Sequence, residues 1–134
     1  MMKTSKKGLG ISIRGKARAA FNQYALCLRE RRFSEAERSL RALKELSFQG
    51  AEFREGYLNA LEGLLQSVRT GDERDFYNRM GKDEASLVKY YREFDQLRRS
   101  PVRTEFDRGY FTAWMDFLGF LGSQSDPVVD PEGV

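Results

Sequence analysis

Two stretches decide the fold: FREGYLNALEGLL at residues 53–65 and FDRGYFTAWMDFL at residues 106–118. At an offset of 53 positions they share Phe, Gly, Tyr, Ala and Leu at five of thirteen places. Each reads as an amphipathic helix with a glycine inside it, and a mid-helix glycine costs about 1 kcal/mol relative to alanine. A chain that accepts this twice in one frame is expected to use the missing side chain for close helix packing. Gly56, Ala60, Gly63 and Ser67 form one stripe of small residues at helical steps; Gly109 and Ala113 begin the same stripe before Asp116 and Phe120 end it. The expected packing positions are therefore Gly56, Ala60, Gly63, Gly109 and Ala113. An internal duplication of a helical hairpin and two independent close-packing sites both account for the pattern.

Working outward, apolar residues recur at steps of three and four along most of the chain, which predicts helices. A first helix is expected over about Lys16 to Arg31, with Ala17, Phe21, Tyr24 and Leu28 on its apolar face. A second should start after Phe33, where Ser34 and Glu37 have the spacing of a capping box, and stop near Gly50. The third runs from Ala51 to Gly71, with Asp72 placed to cap a short segment holding Phe76, Tyr77 and Met80. Asp83 caps a fourth long helix carrying Leu87, Tyr90, Tyr91, Phe94 and Leu97. Ser100–Pro101 predicts a cap followed by proline at the first helical position, opening a last helix to about Leu121. Along it, Glu105, Arg108, Thr112, Asp116, Gly119 and Ser123 make one narrow polar line, and nearly everything else is apolar. Such a helix is either the centre of the bundle or a homodimer seam presenting Phe111, Trp114, Met115 and Leu118.

These readings give an all-α, single-domain bundle of four to five helices over residues 16–122. It is flanked by a flexible basic segment at 1–15 and a disordered Pro/Gly-containing tail at 123–134. At 134 residues the chain is long enough for one well-buried core. The single cysteine, Cys27, cannot form an internal disulfide, and it lies between two leucines as a buried thiol would. No secretion signal or membrane-spanning run is read, so a cytoplasmic protein is expected. The formal charge of +3 divides unevenly, because Lys3, Lys6, Lys7, Arg14, Lys16 and Arg18 stand in the first 18 residues without an acid.

The run RERRFSEAERSLRALKEL at residues 29–46 resembles the second half of a tetratricopeptide repeat, with Phe33, Ala36 and Leu40 in that family's order. Tyr24, Leu43 and Phe48 depart from its small-residue and proline positions. The resemblance implies stacked helical hairpins with a concave protein-binding face. The same run followed by GYLNALEGLL is also similar to the early helices of the translin family, all-α proteins that bind single-stranded nucleic acid. Asn59, before Ala60, stands where that family carries an acidic residue, which argues against a nuclease.

With no histidine in the chain, the commonest general acid–base at neutral pH is missing. Catalysis would rest on carboxylates such as Glu55, Glu62 and Asp116, and no catalytic set, metal site or cofactor is expected. The expected function is a non-enzymatic binding or scaffold module with an unidentified protein partner, self-associating through the last helix. The alternative is a single-stranded nucleic-acid binder using Lys3, Lys6, Lys7, Arg14, Lys16, Arg18, Arg98 and Arg99 on phosphates. In that reading the aromatics of KYYREFDQLRRSPVR (89–103) either stack bases or belong to the core.

Overall fold

Apolar spacing turns into helix along the whole body. The computed structural model describes residues 12–48 and 50–125, and among them all regular structure is helical. In order the elements are α1 (Gly15–Arg29), α2 (Phe33–Lys44), α3 (Ala51–Thr70), α4 (Phe76–Arg79), α5 (Glu84–Arg99) and α6 (Glu105–Ser125). α1 and α2 form one hairpin and α5 and α6 another, while α3 and α6 share the most extensive interface in the bundle.

That interface is built around the two glycines. A Cβ on Gly56 would lie 1.9 Å from the carbonyl oxygen of Phe106, and a Cβ on Gly109 would lie 1.9 Å from that of Phe53. No carbon tolerates such a contact, so only glycine lets the backbones meet here. The arrangement is reciprocal: Phe53 and Gly56 of α3 face Gly109 and Phe106 of α6, and these four are equivalent under the 53-residue offset. The two stretches thus pack on each other about a local twofold. Ala60 and Ala113, the next equivalent pair, are both buried.

α6 is the central helix. Residues 112–121 are all buried, polar line included: Thr112 is 4% exposed and Asp116 1%. α5 covers one flank of α6 with stacked rings, Phe94 lying 5.5 Å from Trp114 and 5.9 Å from Phe111. On the other side Tyr24 of α1 donates to the carbonyl of Leu61 in α3 at 2.5 Å. The α1–α2 turn closes at Arg31, whose φ of 59° is left-handed. Its backbone N–H and that of Arg32 donate to the Leu28 and Cys27 carbonyls, a Schellman closure usually given to glycine. Arginine holds the position through its side chain, which donates to the Val68 carbonyl at 3.0 Å and covers the Phe33 ring.

Several boundaries differ from the sequence expectation. α2 starts at Phe33 with Arg32 as N-cap and no side-chain cap, so Ser34 and Glu37 form no capping box; Glu37 is taken by Arg69 of α3 instead. Gly50 is the N-cap of α3 rather than the stop of α2. Pro101 lies in a turn, and α6 begins after Thr104, whose hydroxyl accepts the Asp107 N–H at 3.1 Å. The folded body also exceeds 16–122 at both ends. Ile13, expected in the flexible segment, is 3% exposed within the core, and α6 continues to Ser125. The rest of the expected flexible and disordered ends, residues 1–11 and 126–134, lies outside the described residues.

Candidate functional site

Two polar features stand out from the helical core. The first is a buried node at Asp116. Its Oδ1 accepts the Ser12 backbone N–H at 2.6 Å, and its Oδ2 accepts the Ser12 hydroxyl at 2.9 Å and the Tyr57 hydroxyl at 2.6 Å. Burial pushes the Asp116 carboxyl up to about 6, opposed by the hydrogen bonds from Tyr57 and Ser12 and by the charge of Arg18. The Tyr57 hydroxyl is raised well above its ordinary value by its own burial and by the Asp116 charge. Arg108, on the same polar line, bonds Glu105 at 2.6 Å rather than Asp116. The node pins the residues preceding α1 to the central helix. With three donors satisfying a carboxylate that solvent barely touches, its chemistry is that of an anchor.

The second feature is an open groove of about 560 Å³ between α2 and α3. Leu40 and Leu65 form its floor, while Glu37, Arg41 and Lys44 on one wall face Asn59, Glu62, Gln66 and Arg69 on the other. Two ion pairs brace it, Lys44 to Glu62 at 2.5 Å and Arg69 to Glu37 at 2.5 Å. The Glu37 carboxyl is lowered by its hydrogen bond from Arg69. Gly63 also lines this groove, exposed, with nothing within 4 Å of where a Cβ would sit. It was expected to continue the packing stripe; it does not, because the α3–α6 crossing lies two turns earlier and α2 stays too far away.

The other sequence-derived positions scatter. Gly56, Gly109, Ala60 and Ala113 come together at the crossing. Phe111, Trp114, Met115 and Leu118 form no exposed seam: Leu118 is fully buried, Trp114 and Met115 nearly so, and half-buried Phe111 is stacked on Phe94 with Arg103 over its ring. The expected self-association surface on α6 is thus spent inside the monomer. Arg98 and Arg99 both bond Asp95 Oδ1, at 2.8 and 3.0 Å. Tyr90 and Phe94 pack on Phe76 rather than offering faces to bases. Arg14, Lys16 and Arg18 are exposed at the start of α1; Lys3, Lys6 and Lys7 lie outside the described residues. Glu62 stands on the groove wall and Asp116 in the core, so the candidate carboxylates do not converge. Among the described residues no three His, Cys, Asp or Glu side chains gather as a metal site would require, and no helix is long and apolar enough to cross a membrane.

Sequence reasoning missed the groove because its walls come from different helices, and the stripe of small residues pointed Gly63 to packing rather than to solvent. No family model, no curated protein and no solved structure matches the chain.

Proposed function

We propose that this protein is a non-enzymatic binding module that receives a segment of a partner protein in the α2–α3 groove. The observation that carries this reading is Gly63. A glycine inside a 20-residue helix weakens it by about 1 kcal/mol, and here no element of the fold uses the space. The bare backbone opens onto a concavity with an apolar floor and hydrogen-bonding walls, the usual composition of a recognition groove. The scattering of the carboxylates favours binding over catalysis.

Site-specific photo-crosslinkers at Asn59 and Gln66, both exposed on the groove wall, test it under native conditions. A common partner should be captured from both positions and not from Gln96 on the outer face of α5. Gly63→Trp should abolish capture by filling the groove, while Gly63→Ala should preserve the fold. Capture that survives Gly63→Trp, or that is equal from Gln96, would reject the groove as the docking site.

A further inference from the structure

The charge of this molecule is segregated in space. Among the described residues, 12–50 carry nine cations and four acids, and 51–125 carry 11 cations and 13 acids. The α1–α2 hairpin is therefore the positive part of the body, not only the chain before it. Within it, Arg14, Lys16 and Arg38 are exposed and enter no ion pair among the described residues. Arg79, Lys89 and Arg92 of α4 and α5 are also exposed and outside any described ion pair, but they stand among the 13 acids of residues 51–125, whereas the hairpin cations have four. Lys16 and Arg18 also sit in the first turn of α1, which holds no acid. Cations there oppose the helix dipole, an arrangement that disfavours the helix by a few tenths of a kcal/mol or more each. Apart from Arg18, whose charge favours the buried Asp116 carboxylate, the fold shows no use for these cations, and an anionic partner would gain from them.

We infer that the solvent side of the α1–α2 hairpin is a phosphate-contacting surface for a nucleic-acid duplex, separate from the α2–α3 groove. Three observations select that partner. Single-strand binders stack bases on exposed aromatic rings, and among the described residues none of the seventeen aromatic side chains is exposed. A contact made through phosphates alone favours the ligand with the densest phosphate array, which is a duplex. An anionic membrane would be gripped by inserted apolar side chains as well, but the exposed large hydrophobics, Leu97 and Val102, lie at the end of α5 and in the α5–α6 turn.

The test is fluorescence anisotropy of the full chain with a short labelled DNA duplex, its separate single strand, and phosphatidylserine vesicles, each titrated between about 50 and 200 mM salt. The duplex should bind tightest, with log affinity falling linearly in log salt. The triple variant Arg14→Gln, Lys16→Gln, Arg38→Gln should weaken duplex binding and reduce the slope by roughly 2.7, about 0.9 per lost phosphate contact. A matched triple on α4 and α5, Arg79→Gln, Lys89→Gln, Arg92→Gln, removes the same charge and should leave the slope unchanged. Circular dichroism of both variants checks that the helices persist. Equal weakening by the two triples would mean that net charge alone acts, and would overturn the surface. Full binding by the hairpin triple would shift the contact to the lysines before residue 12 and would overturn it as well. Tighter binding of the single strand or of the vesicles, or no duplex binding at low salt, also defeats it.

Discussion

Replacing Gly56 by alanine adds one carbon at the tightest point of the bundle. That carbon would stand 1.9 Å from the Phe106 carbonyl oxygen, whereas a relaxed carbon–oxygen contact needs about 3.3 Å. The obstacle is backbone on a central helix, so no rotamer change relieves it; α3 and α6 must separate by more than an ångström. A gap of that size forfeits roughly a quarter to a half of the dispersion energy along the seam, which here includes Tyr57, Ala60 and Ala113. Overpacking of this kind costs typically about 1–3 kcal/mol, and more when both sides are rigid. Alanine returns about 1 kcal/mol of helix propensity, leaving a net loss of about 2 kcal/mol at the upper end of that range, from a total of about 5–15. Gly109→Ala should behave alike, because its clash with the Phe53 carbonyl is the mirror of the first. The double variant should lose much less than the sum of the singles, since one separation of the helices accommodates both methyl groups. Urea unfolding followed by helical circular dichroism and by the fluorescence of the sole tryptophan, Trp114, measures all three. Stability of Gly56→Ala equal to or above that of the parent, or strict additivity in the double variant, would refute the reciprocal crossing.

Other expectations concern single residues. Gly63→Ala should stabilise by up to about 1 kcal/mol, because nothing lies within 4 Å of the new methyl; a lower urea midpoint would show that the position is packed after all. Asp116 holds its proton in the folded state up to about 6, against 3.8 as the ordinary value. The native state therefore binds more protons between these limits, and this group's contribution is full below the ordinary value and lost as pH rises through the folded one, a change of about 3 kcal/mol. Asp116→Asn should remove that decline, so the parent's urea midpoint should fall relative to the variant's as pH rises across the interval; a difference that widens in the parent's favour would reverse the sign. Arg31→Gly relieves a left-handed residue worth roughly 1–2 kcal/mol but deletes a charged hydrogen bond of about 1.5–3 kcal/mol and the cover on Phe33. A small net loss in thermal stability is expected, and a clear gain would mean that the Val68 contact contributes little.

The all-α class was legible because helical spacing persists through nearly every segment, and Asp83 shows why some boundaries were too: its side chain accepts the Ser86 N–H in a purely local cap. Ser34 and Glu37 show the opposite case. Their spacing has the same local form, yet Glu37 finds a cation on α3, and a tertiary ion pair displaced the cap. Asp95 stands at helical spacing from Arg98 and Arg99, so their pairing was visible in principle, but arginines beside aromatics fit a phosphate contact equally well until the pairs are seen. Ser12 could not be read at all, since its partner lies 104 residues away and nothing beside it marks it as structured. The polar line on α6 gave the correct side of the helix and no information on what covers that side. Periodicity fixes direction around an axis; burial depends on neighbours that only the assembled bundle supplies.

The local twofold and the two polar features are connected. Under the 53-residue offset Tyr57 corresponds to Tyr110 and Asp116 to Gly63. Tyr57 closes on Asp116 and, together with Ser12, seals one side of the α3–α6 pair. The equivalent of Asp116 has no side chain, so no counterpart of that node can form, and Tyr110 remains half-buried. Had symmetry been kept, a carboxylate at position 63 would occupy part of the α2–α3 groove and compete with Glu37 and Glu62 for Arg41, Lys44 and Arg69. Glycine leaves the braced groove open, and the same departure from symmetry explains why one face of the pair anchors Ser12 while the other stays open.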